Sequence, residues 1–358
     1  MAIRHNYTPF LKFKANEVAG LSVLSSELKA EMTPFFDLPR KSGMTRVDFE
    51  TLVVFCHKKA KKFLGSFPYI FVDSFDIPDS IAKSGSPNCR VVIEAFADFE
   101  YVPVLGLDRA ADHNQTIFDA KAANAIISDT VAVRFQPDEF TSFDLIEDEL
   151  NKLISVGANL FSNWIFIFDC RVCLTSNRMK LATDIANFVT VANEASRIEK
   201  YIVVGSSIPA TITDIARPSD ESVIARAELE IYHAAQGMVE AIPLSLGDYT
   251  IVSPTYSELT IAPELLLSVM APKVFYAFEN YHYIARGGRI KTNGYGQYDV
   301  ICEEIVGKSF YRKAPYSWGD DFIQMRADGE REKNITPSTI LKPTVCAHIS
   351  YMAKDYPA

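Results

Sequence analysis

Residues Asn163–Cys173 read NWIFIFDCRVC. The apolar run from Trp164 to Phe168 breaks abruptly into Asp169 and Arg171. Such a run, rich in Ile and Phe, predicts a strand buried on both faces, the habit of parallel sheets covered by helices. The two charges cannot lie unpaired in that core, so they mark the strand's open end.

The same pattern recurs along the chain. Strands are expected at Thr8–Phe13, tipped by Lys12 and Lys14, at Met32–Phe36, tipped by Asp37, and at Tyr69–Phe75, tipped by Asp73 and Asp76. Further strands are expected at Tyr101–Leu107 before Asp108 and Arg109, at Val131–Phe135 with Arg134, and at Tyr201–Gly205 before Ser206 and Ser207. Between them the sequence predicts helices over Asn16–Leu28, Arg46–Leu64, at least the second half of Pro78–Asp98, Asp112–Ile127, Ser142–Val156, Arg178–Arg197 and Asp220–Ala235. For the eighth strand both Met238–Leu244 and Tyr249–Ser253 qualify, and the second is preferred.

Strand and helix alternating at this spacing require right-handed crossovers and a parallel sheet. Eight units without an obvious edge strand favour a closed (β/α)8 TIM-like barrel over an open doubly wound sheet. The open sheet would predict G-x-G-x-x-G at the first turn, where this chain has Lys12-Phe-Lys-Ala-Asn-Glu17. Past Ser253 the pattern changes, so the expectation is a barrel over residues 1–261 and a C-terminal α+β appendage over 262–358 packed on it. Within the appendage, VFYAFENYHYI (Val274–Ile284) reads as a half-buried hairpin, Arg286-Gly-Gly-Arg289 as a turn, and Tyr298–Val306 as strand or helix.

With 48% hydrophobic and 12% aromatic residues, the 358-residue chain can build a large core. A net charge of −9 argues against direct nucleic-acid binding. Six cysteines scattered among apolar residues, and no signal peptide at Met1–Phe10, predict a cytoplasmic protein with reduced thiols. No window holds 18 uninterrupted apolar residues, so no membrane span is expected.

The opening Tyr7-Thr-Pro-Phe-Leu-Lys-Phe-Lys-Ala-Asn-Glu-Val18, followed by Thr33-Pro-Phe-Phe-Asp-Leu-Pro39, resembles the Beta family of phage and prophage proteins. Gly247-Asp-Tyr249 and Ser317-Trp-Gly-Asp-Asp-Phe-Ile323 extend the resemblance over nearly the whole chain. One departure is Ala347-His348-Ile349, where relatives carry paired histidines, so a role needing both does not carry over. The resemblance implies a component of a phage-exclusion or abortive-infection cassette, toxin–antitoxin-like. It would sense or restrain a toxic partner protein encoded in the same cassette.

Barrel active sites gather where the strand tips converge. Asp37, Asp73, Asp169 and Lys14 are the catalytic candidates, with the three carboxylates able to hold Mg²⁺ or to act as general acid and base. Lys12, Arg109, Arg134, Arg171, Ser206 and Ser207 are the ligand-binding candidates, suited to an anionic small molecule or nucleotide. This set defines the alternative function, a Mg²⁺-dependent barrel enzyme acting on a phosphate-bearing small molecule or nucleotide. The opposing possibility is that these charges neutralise one another as structural ion pairs. Gly205-Ser-Ser207 is either a phosphate-binding loop or a plain tight turn. Cys170-x-x-Cys173 lacks a second pair at ligand spacing, which weakens a zinc or redox reading. Lys14-Ala-Asn offers only a thin analogy to barrel enzymes that use pyridoxal phosphate. The aromatic stretch with Arg286 and Arg289 serves either to stack nucleotide bases or, more simply, to cover the barrel.

Overall fold

The computed structural model describes residues 7–81, 86–110, 112–195, 198–256, 266–330 and 333–356. In chain order the strands among them are β1 (Tyr7–Lys12), β2 (Phe35–Asp37), β3 (Phe71–Asp73), β4 (Val102–Leu105), β5 (Thr130–Phe135), β6 (Asn163–Val172), β7 (Lys200–Ser206), β8 (Asp220–Ala225), β9 (Leu244–Asp248), β10 (Lys273–Phe278) and β11 (Tyr281–Arg286). Strands β1 to β7 and β9 close into a parallel barrel in that order. The protein is therefore a (β/α)8 barrel, as the alternation of strand and helix predicts.

Strand periodicity decides what fills the barrel. Side chains two residues apart share a face. Phe10, Phe35, Phe71, Val104, Ala132, Ile167 and Val204 thus form one buried interior cluster with Tyr249. The register aligns Phe10 with Phe35 and Phe35 with Phe71, and the first two rings stack with centroids 4.1 Å apart. Each such buried side chain contributes about 1.5–3 kcal/mol through apolar area removed from water. Two residues further toward the C-terminal ends, the same inward parity brings in Lys12, Asp37, Asp73, Arg134 and Asp169, all buried.

Helices on the outside follow local signals. Arg46–Phe63 starts at Thr45, whose hydroxyl accepts from the Asp48 amide while Asp48 accepts from the Thr45 amide. The final helix, Leu341–Lys354, packs against Ala15–Ser22 and β1. Just beyond it, the Tyr356 hydroxyl lies 2.8 Å from His233 on the helix Ala227–Met238. The last helix of the chain thus occupies the eighth place in the helical ring.

Strands β10, β11 and β8 form a separate antiparallel sheet, ordered β10-β11-β8. With helices Gln297–Val306 and Trp318–Ala327 it encloses a second core that includes Tyr276, Tyr283, Tyr298, Ile305 and Ile323. This sheet confirms the hairpin expected at Val274–Ile284, and residues 297–306 are helical.

Two expectations are corrected. Residues 220–225 are a strand, not the start of a helix, because the Val223-Ile224 pair finds a β partner in Tyr283 and His282. The eighth barrel strand is Leu244–Asp248, between the two stretches weighed. Met238 ends the preceding helix. The strand stops at Tyr249 because Asp248 Oδ1 accepts from the Thr250 amide at 2.8 Å and Thr250 turns to φ +54°. The helix expected over at least the second half of Pro78–Asp98 is Asn88–Ala95, and residues 82–85 of that stretch lie outside the described residues.

Candidate functional site

Arg134 on β5 stands at the centre of the barrel's C-terminal end with no exposed surface. Its Nε and Nη2 donate to Asp169 Oδ2 at 3.0 and 2.6 Å, and its Nη1 donates to Asp37 Oδ1 at 2.7 Å and Asp73 Oδ2 at 2.9 Å. Nη2 also reaches the Tyr249 hydroxyl at 2.8 Å, which in turn donates to Asp169 Oδ2 at 2.7 Å. The remaining carboxylate oxygens are also taken. Asp37 Oδ2 accepts from Lys12 at 3.1 Å, Asp73 Oδ1 from the Phe75 amide at 3.1 Å, and Asp169 Oδ1 from the Arg171 amide at 2.9 Å. Arg109 adds a 2.8 Å bond to Asp73 Oδ2.

Burial alone would raise the Asp37 and Asp169 carboxyls, but Arg134 together with Lys12 and Arg171 for Asp37, and with Arg171 and Tyr249 for Asp169, outweighs it and holds both below the ordinary carboxylate range. The same burial would weaken the charge on Arg134, and Asp37, Tyr249, Asp169 and Asp73 more than reverse it. Asp37, Asp169 and Arg134 are therefore ionised together, and each of these buried charges has its counter-charge.

A ring of aromatic and rim groups closes over this centre. The guanidinium carbons of Arg134, Arg109 and Arg171 lie 4.6, 4.7 and 5.1 Å from the Phe75 ring centroid. Arg171 sits where the β6 register shifts, with φ +53°, and donates to the Pro254 carbonyl at 2.9 Å. Lys12 also reaches Asp76 and the Pro254 carbonyl, and lies 5.0 Å from the Tyr256 ring. The loop after β9 is thereby fastened across the barrel mouth from two sides.

The structure brings Lys12, Asp37, Asp73, Arg109, Arg134, Asp169 and Arg171 into one network. Lys14 stands apart: it is exposed, and the structure places it 5.9 Å from the Tyr256 ring. The Ser206 hydroxyl is turned to the Val252 carbonyl at 3.3 Å, and the Ser207 hydroxyl to Glu228. Ser207 Oγ also accepts from the Ala227 amide at 2.7 Å, so Ser206 ties the end of β7 to the loop after β9 and Ser207 ties it to the start of the helix Ala227–Met238. Cys170 and Cys173 are buried free thiols. Among the described residues, no group of three or more His, Cys, Asp or Glu side chains is arranged to hold a metal ion. No described helix is long and apolar enough to cross a membrane.

Sequence reasoning missed two parts of this arrangement. The sequence reads Tyr249 and Phe75 as motif or strand residues and not as site residues, although Tyr249 shares strand parity with the inward Gly247. A second buried network lies outside the barrel wall: Asp248 accepts from Arg226, from the Tyr7 hydroxyl at 2.8 Å and pairs with His348 Nε2 at 2.9 Å. His282 stacks on His348 with ring centroids 5.8 Å apart. This network ties β9 and β1 to the final helix and to β11; Tyr7, Asp248 and His348 fall in three stretches noted in the sequence, but nothing local shows that they meet.

A family model described as "Beta protein" matches residues 7–354. No curated protein matches. Among solved structures, a probable tagatose 6 phosphate kinase from Sinorhizobium meliloti 1021 aligns over 96% of this chain and 82% of its own. Its identity is 12% and its TM-score 0.27, a likeness too low to bear on function.

Proposed function

The chain belongs to the Beta protein family, and on that premise we propose that it is a phage-exclusion component that acts by binding rather than by barrel catalysis. It senses infection or restrains a toxic partner protein encoded beside it, in the cytoplasm. The observation that carries this is the saturation of the barrel centre. Both oxygens of Asp37, Asp73 and Asp169 already accept from Arg134, Lys12, Tyr249 or backbone amides. A Mg²⁺-dependent enzyme would have to strip these donors away, leaving Arg134 uncompensated in a dry site.

The test is to express the genes adjacent to this one singly and together with it, and to score survival and phage plating. The expected outcome is a neighbour that kills alone and is tolerated when this chain is present, with the two proteins co-purifying. Survival that depends on neither this chain nor its complex with the neighbour would sink the proposal.

A further inference from the structure

Beside the sealed centre, on the rim made by the ends of β3 and β4, lies a cleft of about 380 Å³. Arg40, Asp76, Asp79, Asn88, Asp108 and Arg109 supply its polar lining, with His113 at one wall. Two of these side chains are nearly buried and incompletely satisfied. Arg109 Nε has no hydrogen-bond acceptor, and Asn88 Oδ1 has no donor. The Arg109 side chain is 7% exposed and Asn88 5%, so bulk water is a poor substitute for a partner at either atom. The nearest charge to Arg109 Nε is Asp108 Oδ1, 3.4 Å away and not hydrogen-bonded. Asn88 is held in place by its amide nitrogen, which donates to the Pro78 carbonyl at 3.2 Å. One wall of the cleft therefore lacks an acceptor and another lacks a donor.

The charge balance selects the ligand further. Among the described lining residues two arginines face three aspartates, of which Asp76 is already paired with Lys12, so the lining offers no cationic surplus to a polyanion such as a nucleoside polyphosphate. A molecule that carries both signs satisfies every part. We propose that the cleft binds a small zwitterion of the α-amino-acid type, its carboxylate on Arg109 and its ammonium group on Asn88 Oδ1 and the cleft aspartates. This goes beyond the partner-binding function and stands independently of it. Because Arg109 also bonds Asp73 in the central network, occupancy of the cleft is connected to the barrel mouth through that one side chain.

The test is a thermal-shift and saturation-transfer NMR screen of the full chain with the twenty free amino acids, and in separate arms acetate, inorganic phosphate and ATP. A saturable rise in melting temperature with one or a few amino acids, at millimolar concentration or below, is expected. Asn88→Leu, which removes the acceptor while keeping similar bulk, should weaken that binding at least tenfold. Ala110→Trp, which fills the cleft from a residue outside the ion network, should abolish it. Binding of phosphate or ATP in place of any amino acid overturns the proposal. So does the absence of any binding, or amino-acid binding that survives both substitutions.

Discussion

Arg134 and Asp169 sit on neighbouring strands of the barrel, and two nitrogens of the one converge on a single oxygen of the other, at 3.0 and 2.6 Å. That side-on pair is the middle of a network in which one guanidinium serves three carboxylates. A buried ion cluster of this kind gives little net stability while intact, because the desolvation of each charge offsets the attraction. Breaking it from one side is another matter.

Arg134→Met therefore leaves three buried carboxylates around an apolar side chain. The expected loss is about 3–5 kcal/mol, measured by urea unfolding, or outright failure to fold. Arg171→Gln, at the partly exposed rim, should cost about 1 kcal/mol or less. Equal costs for the two would mean that the centre is wet and its charges screened.

Glu17 is buried beneath the Lys12 amide, which donates to it at 2.7 Å. Burial pushes its carboxyl up to about 7, against the opposing pull of Lys14 and Lys12. The folded state thus holds a proton that the unfolded chain releases above about 4.5. Its contribution to stability is present below that value and is lost as pH rises through about 7. Glu17→Gln should gain on the wild type by roughly 1–3 kcal/mol between pH 5 and pH 8. A constant difference across that range would show Glu17 to be ionised and solvated throughout.

The second network has the opposite sign. Burial first, then the Arg226 charge, holds His282 well below its ordinary 6.5. His348 is lowered by burial despite its contact with Asp248. Both rings stay neutral in the folded protein while the unfolded chain takes up protons as pH falls below about 6.5. Stability should fall from pH 7 toward pH 5, and His282→Phe should flatten that slope. The variant keeps the ring stacked on His348 and loses only the titrating group. An unchanged slope in the variant would remove His282 from the account.

All six cysteines are free and buried, and burial raises the thiols of Cys56, Cys89, Cys302 and Cys346. Cys173 is raised too, first by its contact with Cys170. Thiolate is the reactive form, so the native chain should be inert to a disulfide reagent and release six equivalents only on denaturation. Rapid native reaction at Cys170 or Cys173 would revive a redox role for that pair.

Gly319 marks the place where the helix Trp318–Ala327 meets the final helix. A Cβ there would lie 2.1 Å from the Pro343 carbonyl oxygen and 2.6 Å from the Ala347 amide. Both obstacles are backbone, which cannot step aside. Gly319→Ala should cost about 1–3 kcal/mol by overpacking, read as a lowered melting temperature.

Much of this was legible in the sequence because barrels advertise themselves through local periodicity. Each strand is an apolar run with a charged tip, and the tips Asp37, Asp73, Arg134 and Asp169 did converge. The pairing among them was not legible. A sequence shows that carboxylates and guanidiniums share a face, but whether they leave an open pocket depends on which loop covers them. Here Phe75, Pro254 and Tyr256 supply that cover from loops whose course no periodic pattern predicts. The Asp220–Ala225 strand was misread for a related reason: its β partner, Tyr281–Arg286, lies far along the chain. The final helix showed as a stretch, while its place in the ring beside Ala15–Ser22 depends on tertiary packing alone.

The central claim is that the barrel's charged centre is closed and mutually neutralised. The most direct measurement is ¹⁵N NMR of the arginine side chains during a Mg²⁺ titration. The account predicts that the Arg134 Nη protons give separate, slowly exchanging signals, fixed by their bonds to Asp37, Asp73 and Asp169, and that Mg²⁺ leaves them unmoved. Averaged, rapidly exchanging signals, or a saturable shift on adding Mg²⁺ that vanishes in Asp169→Asn, would contradict it and point to an open reaction centre.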